Sequence, residues 1–247
     1  MAQLIVKNVS QSYESEEGKV LALKNINLEI KEGEFLALIG PSGCGKSTLL
    51  RIIAGLIEPT EGEVLMNGQK VVTTIPSISF IFQNFALFPW LNVFENVAFP
   101  LKMLGVKESK IKSQTAEIIK EVGLTGFEKS HPKQLSGGMR QRVGIARALV
   151  GDSKIILADE PFSSLDAFTA KTLRDELLKI FKRYKKTIVM VTHLVDEAAY
   201  MADRIVVLTP RPGKIEKIIQ NKLSRPRNTR DSKFYDLTDE LTRIIHP

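Results

Sequence analysis

Short apolar runs alternate with longer stretches of helical period along most of this chain. The runs 4–9, 21–30, 34–39, 62–66, 79–82, 154–158, 187–191 and 204–208 read as strands. The early runs are joined by short polar turns such as 14–19, which predicts antiparallel pairing. The later runs are each separated by a helical stretch, which predicts a mainly parallel sheet with covering helices. Between Gln83 and Leu135 the pattern changes. Phe88, Pro89 and Trp90 break the chain, and 92–104 and 108–122 then read as helices. Ile111, Ile118, Ile119 and Val122 fall roughly on one face of the second. Successive helices with no strand between them predict a helical subdomain inserted into an α/β core. After about Pro210 the chain turns basic and proline-bearing, and it ends in an amphipathic helix over 234–245.

Composition narrows this picture without changing it. With 247 residues, 43% of them hydrophobic, the chain can bury one large core or one core with a sizeable insertion. A single cysteine, Cys44, excludes an internal disulfide and suits a reducing compartment. The start, MAQLIVKNVS, lacks the pattern of a signal peptide, and no apolar run approaches the ~18 residues of a membrane span. The net charge of +7 fits phosphate ligands, nucleic acid, an anionic membrane face or a plain solvated surface, and charge alone does not choose.

Three stretches carry chemistry. Gly40-Pro41-Ser42-Gly43-Cys44-Gly45-Lys46-Ser47-Thr48 has the spacing of a P-loop, between an apolar run and the helical stretch 49–57. Its glycines let backbone N–H groups wrap phosphates, Lys46 adds charge at the β and γ groups, and Ser47 is placed to ligate Mg²⁺. Cys44 reads as a small filler in the loop. Ile155-Ile156-Leu157-Ala158-Asp159-Glu160 is an apolar strand ending in two carboxylates. Parallel sheets gather ligands at strand carboxyl ends, so Asp159 is a natural outer ligand for Mg²⁺ and Glu160 can polarise a water for attack on a γ-phosphate. Finally, Leu135-Ser136-Gly137-Gly138-Met139-Arg140-Gln141-Arg142 reads as an N-cap and two glycines opening a basic helix, a second anion site.

These motifs, with "SSLD" at 163–166 and "VTHL" at 191–194, occur in an order that resembles the nucleotide-binding subunit of an ATP-binding-cassette (ABC) transporter. The likeness covers essentially the whole chain, and "LSGG" is its most discriminating part. It implies an α/β fold with a P-loop, RecA-like core and mainly parallel sheet, an N-terminal antiparallel β-subdomain and an inserted helical subdomain. The expected boundaries are 1–84 and 139–210 for the ATP-binding core, 85–138 for the helical subdomain with the signature, and 211–247 for a basic tail and helix. The resemblance also implies roles. Tyr13 matches the aromatic that stacks on adenine. Gln83 matches the glutamine reaching toward Mg²⁺ and the attacking water, and His193 the histidine at the γ-phosphate. Asp166 matches the aspartate linking two sites across a dimer. Ser136, Gly137 and Gly138 would cap the ATP held by a partner chain.

A narrower likeness joins "LFPWLNVFENVAFPL", Met139–Arg140, "LTPRPGKI" and "RPRNTRDSKFYDL" to importers of the nitrate, sulfonate and taurine group. It implies Mg²⁺ with ATP as substrate and a homodimer on ATP binding. It further implies a separate transmembrane permease docked at the 88–90 elbow, an associated solute-binding protein, and a place on the cytoplasmic face of the membrane. Two alternatives stay open: a soluble ABC ATPase of iron–sulfur cluster assembly, and an ABC protein acting on ribosomes or nucleic acid. The first is not expected to carry "MRQR" or "LTPRPGKI". The second usually has two cassettes or a long coiled coil, so no nucleic-acid partner is expected.

Overall fold

Alternating burial sets the first sheet. In β2 (Gly18–Lys31) Ile26, Leu28 and Ile30 are buried while Asn27, Glu29 and Lys31 between them face water. β1 (Ala2–Ser15) pairs antiparallel with β2 on one side and with β4 (Glu61–Met66) on the other, and β5 (Gln69–Lys70) completes the order β2-β1-β4-β5. The computed structural model describes residues 2–16 and 18–245, so Glu17 of the expected 14–19 turn lies outside the described residues.

The chain divides into two compact units, Met1–Ile75 with Lys185–Pro247, and Pro76–Tyr184. Besides the antiparallel sheet, the first unit holds β3 (Phe35–Ile39), β8 (Thr187–Val191), β9 (Arg204–Leu208) and β10 (Ile215–Gln220). β3 pairs in parallel with β8 and with β9, and every residue of β3 and β8 is buried. Strands buried on both faces read as unbroken apolar runs, which is why these were plain in the sequence. α1 (Lys46–Ile53) follows β3, α6 (Val195–Met201) follows β8, and α7 (Ser232–Ile245) packs on α6 and β9.

In the second unit β6 (Ile78–Ile81) and β7 (Ile155–Asp159) pair in parallel. The helices there are α2 (Val93–Met103), α3 (Glu108–Glu121), α4 (Gly137–Leu149) and α5 (Ala167–Tyr184). α2 opens on a reciprocal cap: Asn92 Oδ1 accepts from Glu95 N–H at 2.8 Å, and Asn92 N–H donates to Glu95 Oε2 at 2.9 Å. α4 packs against α2, α3, α5 and β6.

Beyond the expected ATP-binding core, residues 215–220 form β10, paired antiparallel with β9. In the second unit β6, β7 and α5 lie together with α2, α3 and α4.

Candidate functional site

The candidate phosphate cradle, the P-loop of the sequence, grows from the carboxyl end of β3. Gly45, just ahead of α1, has φ +99°, and a Cβ there would stand 2.6 Å from Leu23 Cδ2, so the turn into the helix needs glycine. The first bond inside α1 is Leu49 N–H to Gly45 O at 2.9 Å. The N–H groups of Lys46, Ser47 and Thr48 therefore precede the helical ladder, at the positive end of its dipole. Lys46 is 6% exposed, and its Nζ donates to Gly40 O at 2.8 Å and Pro41 O at 2.9 Å. The ammonium is thus held on the loop itself. Cys44 fills the loop's interior, and burial pushes its thiol up from the ordinary value against the pull of the Lys46 charge.

Two more expected residues belong to this unit. Tyr13, on β1, has an exposed ring, and its hydroxyl donates to Thr48 Oγ1 at 3.4 Å. β8 lies beside β3 with Val191 opposite Leu38, so His193 emerges at the same strand ends as the P-loop. The turn carrying it is tied by residues that sequence reasoning missed. Thr192 Oγ1 donates to Glu197 Oε2 at 2.6 Å and accepts from Leu194 N–H at 3.1 Å.

The second unit carries the acids. Asp159 ends β7, buried, and Glu160 follows with φ +44°, an uncommon backbone state for a residue with a side chain. Gln83, just past β6, donates through Nε2 to Glu160 Oε2 at 3.2 Å and to Ser163 Oγ at 3.4 Å. Ser163 Oγ in turn donates to Glu160 O at 3.0 Å. Gln83 and Glu160 are thus brought together, with Ser163 as a support that only the "SSLD" motif hinted at. Asp166 caps α5, its Oδ1 accepting from Phe168 N–H at 3.1 Å and Thr169 N–H at 3.0 Å. These bonds hold its carboxyl below the ordinary aspartate value.

The signature opens α4. Ser136 Oγ accepts from Met139 N–H at 3.2 Å and Ser136 O from Arg140 N–H at 2.9 Å. Among the described residues nothing takes the N–H groups of Gly137 and Gly138 or the Ser136 hydroxyl proton, so three donors remain at the helix start. Gly138 is also a packing residue: a Cβ there would lie 2.7 Å from Thr169 Cγ2 of α5.

The same helix holds the elbow after Gln83. Arg147 donates to Ala86 O at 2.7 Å and Phe85 O at 3.0 Å, and the Arg140 guanidinium lies 5.3 Å from the Phe85 ring centroid. Asn96, buried in α2, donates to Phe88 O, Leu91 O and Asn92 O and accepts from Phe88 N–H. Trp90 stands 70% exposed beside Phe88. A buried asparagine on an otherwise apolar helix face was the one sequence signal for this anchor.

Known proteins match this arrangement. The ABC transporter family matches residues 23–163. An uncharacterized ABC transporter ATP-binding protein of Methanocaldococcus jannaschii is 49% identical over 98% of this chain and 91% of its own length. The aliphatic sulfonates import ATP-binding protein SsuB of Bacillus cereus is 47% identical over 96% of this chain and 93% of its own. The Bacillus subtilis protein of the same name is 48% identical over 91% and 87%. Among solved structures, a dimeric ATP-binding cassette in a post-hydrolysis state, bound to ADP and Pi, superposes with TM-score 0.79 at 38% identity, covering 89% of this chain and 99% of that one. A P-loop, an acid-ended strand and a capped signature helix, carried on the fold of that cassette, have one reading: this chain belongs to the ABC transporter family, as one of its ATP-hydrolysing ATP-binding subunits.

Proposed function

We propose that this chain hydrolyses Mg²⁺·ATP to drive uptake of an aliphatic sulfonate or a similar small organic anion through a separate permease. It would act as a homodimer on the cytoplasmic face of the membrane. No helix among the described residues is long and apolar enough to cross a membrane; the transport path would be the permease's. The sulfonate class rests on the importers that match nearly the full length.

The observation that supports this mechanism is a pair of unlike helix N-termini, one beside the buried Lys46 and one opening on Ser136, Gly137 and Gly138. The P-loop would bind the triphosphate through Gly43–Thr48 N–H groups and Lys46, with Tyr13 against adenine. Gly137 N–H, Gly138 N–H and the Ser136 hydroxyl would reach the γ-phosphate of the ATP on the second chain. Two ATPs would then join two chains, and Asp166 would lie where they communicate. Glu160 would take the proton of the attacking water, oriented by Gln83, while His193 would hold the γ-phosphate. Ser47, Gln83 and Asp159 carry hydroxyl, carboxamide and carboxylate oxygens, hard donors that would suit Mg²⁺, and the ion would supply charge neutralisation on the phosphates. The Gln83 elbow, braced by Arg147 and presenting Trp90, would pass the state of the γ-phosphate to the permease.

The test is reconstitution in liposomes with the chain's own permease and binding protein. ATP hydrolysis that rises with a sulfonate-loaded binding protein, coupled to uptake, is the expected result. Stimulation by another solute class and not by sulfonates would overturn the cargo. Stimulation by RNA or DNA without permease would overturn the importer reading.

A further inference from the structure

The "LTPRPGKI" stretch has no part in the mechanism above, yet the structure brings it onto the P-loop. β9 lies beside β3 with Val207 opposite Ile39, so the two chains leave the sheet side by side. The loop that follows is closed on itself: Thr209 N–H donates to Lys214 O at 2.9 Å, and Lys214 N–H to Thr209 Oγ1 at 3.0 Å. It is also tied to β2, through Gly213 N–H to Ala22 O and Lys24 N–H to Gly213 O, both at 2.9 Å. At Gly213 a Cβ would stand 2.0 Å from Cys44 O, so the arm passes directly against the cradle's backbone.

This fixed arm carries Arg211. Pro210 and Pro212 flank it, each with a locked φ. Its Nε donates to Gly43 O at 3.4 Å, and its Nη2 lies 3.3 Å from where a Gly43 Cβ would be. The side chain is exposed, and among the described residues no carboxylate is within ion-pair reach of it. A bracing contact needs one N–H; a guanidinium has five. The remainder stand at the rim of an anion cradle, on a loop whose ordering has no further entropy cost at binding.

We propose that Arg211 is a nucleotide-binding residue, a second cation that hydrogen-bonds the ATP polyphosphate beside Lys46. This rests on the P-loop being the nucleotide site. The experiment is equilibrium titration of the full chain, and of Arg211→Gln and Arg211→Lys, with ATP, ADP and AMP. Glutamine retains an N–H for the brace and drops the charge; lysine keeps the charge. Charge-assisted hydrogen bonds predict that Arg211→Gln weakens ATP and ADP binding about 10-fold or more, and AMP much less. Arg211→Lys, which keeps the charge but loses the fork of donors, should recover only part of that loss. Three results would overturn the assignment: Arg211→Gln binding all three nucleotides like wild type, an equal loss for AMP and ATP, or a lysine variant as weak as the glutamine one. A wild-type chain that binds no ATP would instead bring down the nucleotide site itself.

Discussion

Thr192→Val tests how the His193 turn is held. The substitution keeps the side chain's shape and deletes one hydroxyl. Thr192 is 2% exposed, and its hydroxyl donates at 2.6 Å to the side chain of Glu197, a residue that is 4% exposed. It also accepts the Leu194 N–H at 3.1 Å. A hydrogen bond to a charged group is worth about 1.5–3 kcal/mol and a neutral one about 0.5–1.5, so the expected loss is about 2–4.5 kcal/mol. Against a typical total of about 5–15 kcal/mol the variant should still fold. Urea denaturation measures the loss, and steady-state ATP hydrolysis at saturating ATP measures its effect on turnover. His193 sits between the two tied residues, so kcat should fall while ATP affinity changes little. Thr192→Ser retains the hydroxyl and should recover most of both. Glu197→Gln should partly relieve Thr192→Val, giving a non-additive double-mutant cycle. A stability loss under about 0.5 kcal/mol, or a serine variant as damaged as the valine one, would refute the reasoning.

Three further outcomes follow from the same contacts. Glu160→Gln should abolish turnover, retain ATP binding and accumulate an ATP-bound dimer on size exclusion; turnover at the normal rate would remove Glu160 as the base. Gly138→Ala should destabilise by about 1–3 kcal/mol through its clash with Thr169 Cγ2, and Thr169→Ser, which removes that methyl, should restore the stability. Cys44 should alkylate far more slowly than a free thiol at about pH 8, because burial raises its pKa and the thiolate is the nucleophile. The fold favours the neutral thiol, so this contribution to stability is complete below the unfolded thiol pKa and is lost as pH climbs through the folded one. Labelling of the native chain at the free-thiol rate would contradict the burial.

What the sequence made legible was local. β3, β8 and β9 stood out because burial on both faces leaves continuous apolar runs. The outer half of β1, SQSYES, did not, because it is a polar hairpin arm paired with 18–23. β10 was hidden by its setting: Ile215, Ile218 and Ile219 lie among lysines and a glutamate, and charge dominated the reading. The chemical motifs were legible for the same reason as the buried strands, since each needs a few residue types at fixed short spacing. The ties between them are long in sequence and left no such trace. Gln83 meets Glu160 across 77 positions, Arg147 meets Phe85 across 62, and Arg211 meets Gly43 across 168.

The signature serine shows why a structural role and a ligand role need not compete. A helix cap uses the oxygen of Ser136 as an acceptor, here from Met139 N–H. A γ-phosphate accepts and does not donate, so it would use the hydroxyl proton, which the cap leaves alone. The cap also fixes the rotamer of that hydroxyl, and with Met139 and Arg140 N–H already satisfied by Ser136, the donors left at the helix start are those of the two glycines. Gly138 cannot carry a Cβ without moving Thr169, which keeps α4 seated on α5, the helix that Asp166 caps. The capped serine, the close-packed glycine and the aspartate cap thus form one rigid piece, presenting three anion donors with no anion of its own chain required to order them. Such pre-organisation would make a second chain's nucleotide a cheap ligand for this surface, because little would have to be immobilised when it arrived.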